Sequence, residues 1–162
     1  MSTEKAYLAG GCFWGMEELI RNLKGVLSTE VGYCGGDLEN PIYETVKVGT
    51  SGHAESIEIE YDPNSVSFEA LLHFFFRIHD PTTSDRQGND VGSQYRSAIF
   101  YTNDQQKQTA ETVKASALVQ NFWKKPIKTE VVPFKKFFRA EEYHQDYLQK
   151  NPQGYTCHFY RD

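Results

Sequence analysis

A chain of 162 residues, 39% hydrophobic and 24% charged, has room for one domain with a sizeable core. A formal net charge of −5 gives no electrostatic reason to bind nucleic acid or an anionic membrane. No apolar run approaches the roughly 20 residues of a membrane span, and Met1-Ser2-Thr3-Glu4-Lys5 lacks the charged-then-apolar layout of a signal peptide. One domain over residues 1–162 is expected, in the cytoplasm, where thiols stay reduced. The three cysteines, Cys12, Cys34 and Cys157, form no disulfide framework and show no zinc spacing. They suit a reactive thiol with one or two possible partners.

In chain order, Ala6-Tyr7-Leu8-Ala9 reads as a strand closed by Gly10-Gly11. Behind it Phe13, Met16, Leu19, Ile20 and Leu23 carry a helical period, with Gly25 as a stop signal. Ser28 to Tyr33 predicts a second strand, Asp37 to Tyr43 a loop, and Thr45 to Val48 a short strand. Glu55 to Tyr61 alternates cleanly as a half-buried strand. Ser67 caps a helix through Leu71, Leu72, Phe75 and Ile78. His79 to Gln94 is long, polar and rich in turn residues, which in a compact domain points to function. Ser97 to Tyr101 is a strand, and Asn103 or Asp104 caps a helix to about Phe122. A strand lies within Lys128 to Pro133, and a last helix runs from Ala140 to Lys150. The sum is an α+β sandwich, a mixed β-sheet with packed helices and long functional loops.

The order strand, tight turn, cysteine, helix puts Cys12 in a first helical turn. Free N–H groups and the positive dipole end there favour a nucleophilic thiolate. Gly15 and the glycine pair would let a substrate approach the sulfur, and Phe13 and Trp14 would wall it. A buried structural cysteine is the competing reading. Glu55, at the start of its strand, is a general-acid candidate if an aromatic pocket desolvates it, or else an ordinary solvated carboxylate. Tyr43 and Tyr95 border polar loops and could donate to an oxygen that gains charge, or simply pack. Asp90 is an orienting group or a turn residue. Cys157, on a glycine-hinged tail, is a mobile thiol able to condense with a Cys12 sulfenic acid, or an idle one near a frayed end. Cys34 reads as a packing cysteine, and His53 and His79 show no metal-ligand pattern. No metal site is expected.

Several of these stretches together resemble the peptide methionine sulfoxide reductase A family. They are Gly11-Cys12-Phe13-Trp14-Gly15, Gly32-Tyr33-Cys34-Gly35-Gly36, Asn40-Pro41-Ile42-Tyr43-Glu44 and Gly52-His53-Ala54-Glu55. The long loop from His79 to Ser97, and His144-Gln145 through Asn151-Pro152 to Gly154-Tyr155, continue the likeness. It spans nearly the whole chain and implies a mixed-sheet fold with a ferredoxin-like core. It implies that Cys12 attacks the sulfur of a methionine S-sulfoxide, free or in proteins, while protonated Glu55 serves the oxygen. Tyr43 and Tyr95 would hold that oxygen, Asp90 would support the site, and Phe13 and Trp14 would cradle the methyl group. Protein repair follows, with no organic cofactor. A single resolving cysteine, Cys157, would form a Cys12–Cys157 disulfide reduced by thioredoxin as external reductant, in a monomer. Lys47 stands where many relatives carry another cysteine. Two other classes fit part of the pattern: a cysteine hydrolase or amidase pairing Cys12 with His53, and a redox-sensing domain whose cysteine pair changes shape. Neither gives work to the Glu–Tyr–Tyr–Asp set.

Overall fold

A computed structural model describes residues 2–162. Strand β1 (Glu4–Gly10) runs into helix α1 (Phe13–Ile20), which leads to β2 (Val26–Cys34). After a four-residue helix α2 (Tyr43–Val46) come β3 (Ala54–Tyr61) and α3 (Phe68–Ile78). The long loop holds a two-stranded hairpin, β4 (Arg86–Gln87) and β5 (Asp90–Val91), and a 3₁₀ turn at Ser93–Tyr95. Then follow β6 (Ser97–Tyr101), α4 (Asp104–Ala115), α5 (Ala117–Trp123), β7 (Glu130–Pro133) and β8 (Phe137–Arg139). A 3₁₀ turn at Glu142–His144 and α6 (Tyr147–Lys150) precede the tail.

The main sheet has the order β7-β6-β1-β3-β2-β8. Among the described residues only β6 and β7 pair in parallel; the other neighbours are antiparallel. Its inner four strands with α1 and α3 make two interleaved β-α-β units, the ferredoxin-like arrangement. The sheet sides follow from strand alternation. Leu8, Tyr33, Ile57, Ile59 and Ile99 face α1, α3, α4 and α5 in the larger core. Tyr7, Cys34, Ala54 and Phe100 face the other way, under Phe134 and Phe137. Tyr33 pairs with Glu55 across β2 and β3, which puts that carboxyl on the helix side with Ile57 and Ile59.

Four expectations differ from the structure. Thr45 to Val48 is not a strand: residues 43–46 are helical, because Thr45 Oγ1 bridges the Ile42 N–H and C=O locally. The helix after Asn103 breaks at Ser116, whose extended backbone and hydroxyl cap a separate α5. The segment 140–150 is not one helix. Gln145 spends its amide on the Val31 N–H and C=O and on the Ala140 C=O, and Asp146 is left-handed at φ 56. Strand β8 has no counterpart in the sequence reading. The long loop is also more ordered than its composition suggests: Gln87 donates to the Asp80 C=O and accepts from the Asp80 N–H, stapling it shut.

Candidate active site

Gly11 turns the chain out of β1 with φ 98, a conformation that side chains rarely adopt. Cys12 then caps α1 with its backbone, and Phe13, Met16 and Ile20 bury one face of the helix. Cys12 is 7% exposed and lines a cleft of ≈ 90 Å³. Phe13 and Trp14 from α1, Tyr43 from α2 and Glu55 from β3 line this cleft, together with Asp90 from the hairpin and Tyr95. Tyr155 of the tail completes it. Five segments far apart in sequence thus converge on one cleft.

Glu55 is 2% exposed, and its Oε1 accepts the Phe13 N–H at 3.2 Å. Burial pushes the carboxyl up to about 8; the Phe13 N–H opposes the shift and the Asp90 charge adds to it. It is therefore a neutral acid at pH 7. Cys12 is also pushed up, first by burial and then by Glu55, although the Trp14 N–H pulls it down. The expected thiolate is thus not the resting form: the helix end is outweighed by loss of water. Tyr43 rises to about 12 and Tyr95 rises as well, both chiefly through burial, so both phenols stay donors.

A surrounding frame holds these groups. Glu141 accepts the Tyr43 N–H and the Tyr33 hydroxyl, both at 2.8 Å. Trp14 stacks on Tyr147 with ring centroids 3.8 Å apart, and its indole N–H donates to His144 Nδ1 at 3.0 Å. Buried Glu17 accepts from Thr29 and from the Asp146 N–H, tying α1 to the C-terminal turns. Asp90 bonds neither Cys12 nor Glu55; its Oδ2 accepts the Tyr155 hydroxyl at 3.4 Å, and it acts on the acid through its charge. Tyr155, Glu141, His144 and Tyr147 join the site beyond the residues that the sequence points to. Tyr155, His144 and Tyr147 do lie in the C-terminal stretch that carries the resemblance.

The remaining candidates fall elsewhere. His53 accepts the Gly36 N–H on Nδ1 and donates from Nε2 to the Leu38 C=O, so neither nitrogen is left to serve the thiol. Cys34 is fully buried on the far face of the sheet. Cys157 is a free thiol, half-buried at the hairpin, with Sγ 3.9 Å from the Gln87 C=O. The tail bearing it is docked rather than loose: His158 is buried, Nε2 lies 2.7 Å from the Gly10 C=O, and the Arg161 N–H donates to the Arg77 C=O. Nor does Gly15 face the substrate cleft; its missing side chain makes room for Thr156 and His158. Among the described residues no cluster of His, Cys, Asp or Glu is arranged to hold a metal ion, and no helix is long and apolar enough to cross a membrane.

A thiol with proton donors around it, and no base beside it, is equipped to break a bond to oxygen rather than to attack an acyl group. That makes the fold and cleft those of a cysteine-dependent oxidoreductase. The family model described as "Peptide methionine sulfoxide reductase" matches residues 4–162, and the chain belongs to that family. It is 57% identical over 160 residues to "Peptide methionine sulfoxide reductase MsrA 1" of Mesorhizobium japonicum, covering 99% of this chain and 91% of that one. Among solved structures it resembles reduced Mxr1 from Saccharomyces cerevisiae, with TM-score 0.93 and 40% identity, covering 99% of this chain and 93% of that one. Mxr1 in complex with Trx2 is similar at TM-score 0.68 and 28% identity, covering 99% of this chain and 91% of that one.

Proposed function

We propose that Cys12 reduces the S epimer of methionine sulfoxide and that Cys157 resolves the product as a disulfide for thioredoxin. The observation that carries this is the neutral Glu55 carboxyl buried beside a neutral thiol in a small phenol-lined cleft. A sulfoxide oxygen is a poor leaving group until it is protonated, so the cleft must supply an acid. Tyr43 and Tyr95 donate to the oxygen as it gains charge. Phe13 and Trp14 offer the substrate's methyl group an apolar wall. The Cys12 sulfur attacks the sulfoxide sulfur while Glu55 protonates the oxygen, and the proton leaving the thiol restores Glu55. The substrate's sulfur–oxygen bond then breaks, the released hydroxide adds to the Cys12 sulfur as the new sulfur–sulfur bond breaks, and methionine departs, leaving Cys12 as a sulfenic acid. The Cys157 thiol then attacks that sulfur, forming the Cys12–Cys157 bond and releasing water. An external dithiol reduces the disulfide; Mxr1 with Trx2 supports thioredoxin in that role. The reductase is read as a monomer of one domain over residues 1–162, repairing oxidised proteins in the cytoplasm.

A single-turnover experiment tests the scheme. Reduced protein mixed with a racemic methionyl sulfoxide, without reductant, is expected to release one equivalent of product, lose two thiols and spare the R epimer. Cys12→Ser should release none. Cys157→Ser should release the first equivalent yet cycle poorly with thioredoxin. Product from Cys12→Ser, or full cycling by Cys157→Ser, would sink the corresponding half.

A further inference from the structure

Gly15 sits inside α1 with ordinary helical backbone, so no turn requires a glycine there. Alanine would favour the helix by about 1 kcal/mol. What forbids it is the tail. A Cβ on Gly15 would lie 2.4 Å from Thr156 Oγ1 and 2.5 Å from His158 Nδ1. The tail is fastened on both sides of Cys157. Tyr155 donates to Asp90, and buried His158 reaches the Gly10 C=O at the end of β1, two residues before Cys12. Thr156 Oγ1 accepts the His158 N–H, bending the tail into the notch that Gly15 leaves. Cys157 is left between these fastenings, over Gly88 of the hairpin.

We propose that Gly15 and His158 form the seat that holds the tail, and so set the rate at which Cys157 captures the Cys12 sulfenic acid. Gly15 is thereby a positioning residue for recycling, and substrate reduction does not depend on it. The bond formed is Cys12 Sγ–Cys157 Sγ and the leaving group is water, so no further reactant is needed. This rests on the resolving role of Cys157 given above. A misplaced thiol loses the advantage of being held near its target, a loss of roughly 10- to 100-fold for a displacement of about 1 Å.

The test compares native protein, Gly15→Ala, His158→Ala and Cys157→Ser in one turnover without reductant, with and without a cyclic 1,3-dione that traps sulfenic acid. Gly15→Ala and His158→Ala are expected to release the first equivalent of methionine at the native rate. Their second thiol should then be lost roughly 10- to 100-fold more slowly, and the dione adduct should appear on Cys12. Combined, the two substitutions should cost less than the sum of each, because they vacate one seat. Native-rate disulfide formation in both single variants, with Cys157→Ser defective, overturns the seat. Full cycling by Cys157→Ser overturns the resolving role itself. If alanine at 15 also slows the first equivalent, His158→Ala decides, since His158 lines no part of the cleft.

Discussion

Glu55 and Cys12 are both neutral, each held so chiefly by burial. Two anions sharing a dry cleft would repel strongly, and burial already disfavours either one. The acid is raised to about 8, so the form able to donate a proton is lost as pH rises through that value. The single-turnover rate should therefore fall above about pH 8. Glu55→Gln, which has no proton to give, should lower the rate roughly 10²- to 10⁴-fold and remove the alkaline fall. A variant that kept the native rate would place the proton donor elsewhere. The cysteine is legible as chemistry because cysteines are scarce here, and the carboxyl and the two tyrosines because they border glycines, strand ends and polar loops and fall in the stretches that carry the family resemblance. Their states are not. The helix-end argument favoured a Cys12 thiolate, and only burial reverses it, a quantity no local motif carries.

The elements that bear the site are held mostly by side chains reaching backbone groups far along the chain. Gln87 is the clearest case: 2% exposed, it makes two bonds to the Asp80 backbone and closes the loop that presents Asp90 and supports Cys157. Gln87→Ala should destabilise the fold by about 1–3 kcal/mol and loosen residues 80–92. Hydrogen exchange would register this as faster amide loss in that segment, with both methionine release and disulfide formation slowed. Native protection there would mean the hairpin holds itself. Strands and helices with strong periodicity, β1 to β3, β6, α1 and α3, could be read from sequence because each buries one regular face. The errors cluster where a remote partner decides. The β-branched Thr45 and Val46 argue for a strand, but Thr45 Oγ1 closes locally on the Ile42 backbone and the distant Glu141 holds the Tyr43 N–H. A helix through 145 is prevented by Val31, which claims Gln145. Strand β8 is short, preceded by Lys135 and Lys136, and paired on one edge only, so it has little pattern to read.

Across the whole molecule, buried titratable groups oppose one another in their effect on stability. His79 is held down to about 3 and His158 to about 4 by burial, below their ordinary 6.5. The stability gained from keeping them neutral is present above about pH 6.5 and is lost as pH falls toward those values, by up to about 1.4 kcal/mol per pH unit for each. Glu55 has the opposite sign. Its raised value means that its cost grows as pH climbs from 4.5 to about 8. Glu55→Gln should therefore be little changed in stability near pH 5 and clearly more stable than native at pH 8, in denaturant unfolding at the two pH values. An equal offset at both would refute the burial argument.

The chain has only two tryptophans, and the fold has put them at opposite ends of the tail's course. Trp14 lies in the cleft against Tyr147. Trp123 is bonded to the Phe76 C=O, with the Arg161 guanidinium 5.3 Å from its ring. One indole therefore feels what enters the cleft, and the other feels whether the last residues are in place. Ultraviolet emission from the unlabelled protein thus carries two channels. Replacing either indole by phenylalanine would leave a single lamp, trained on substrate arrival or on departure of the tail.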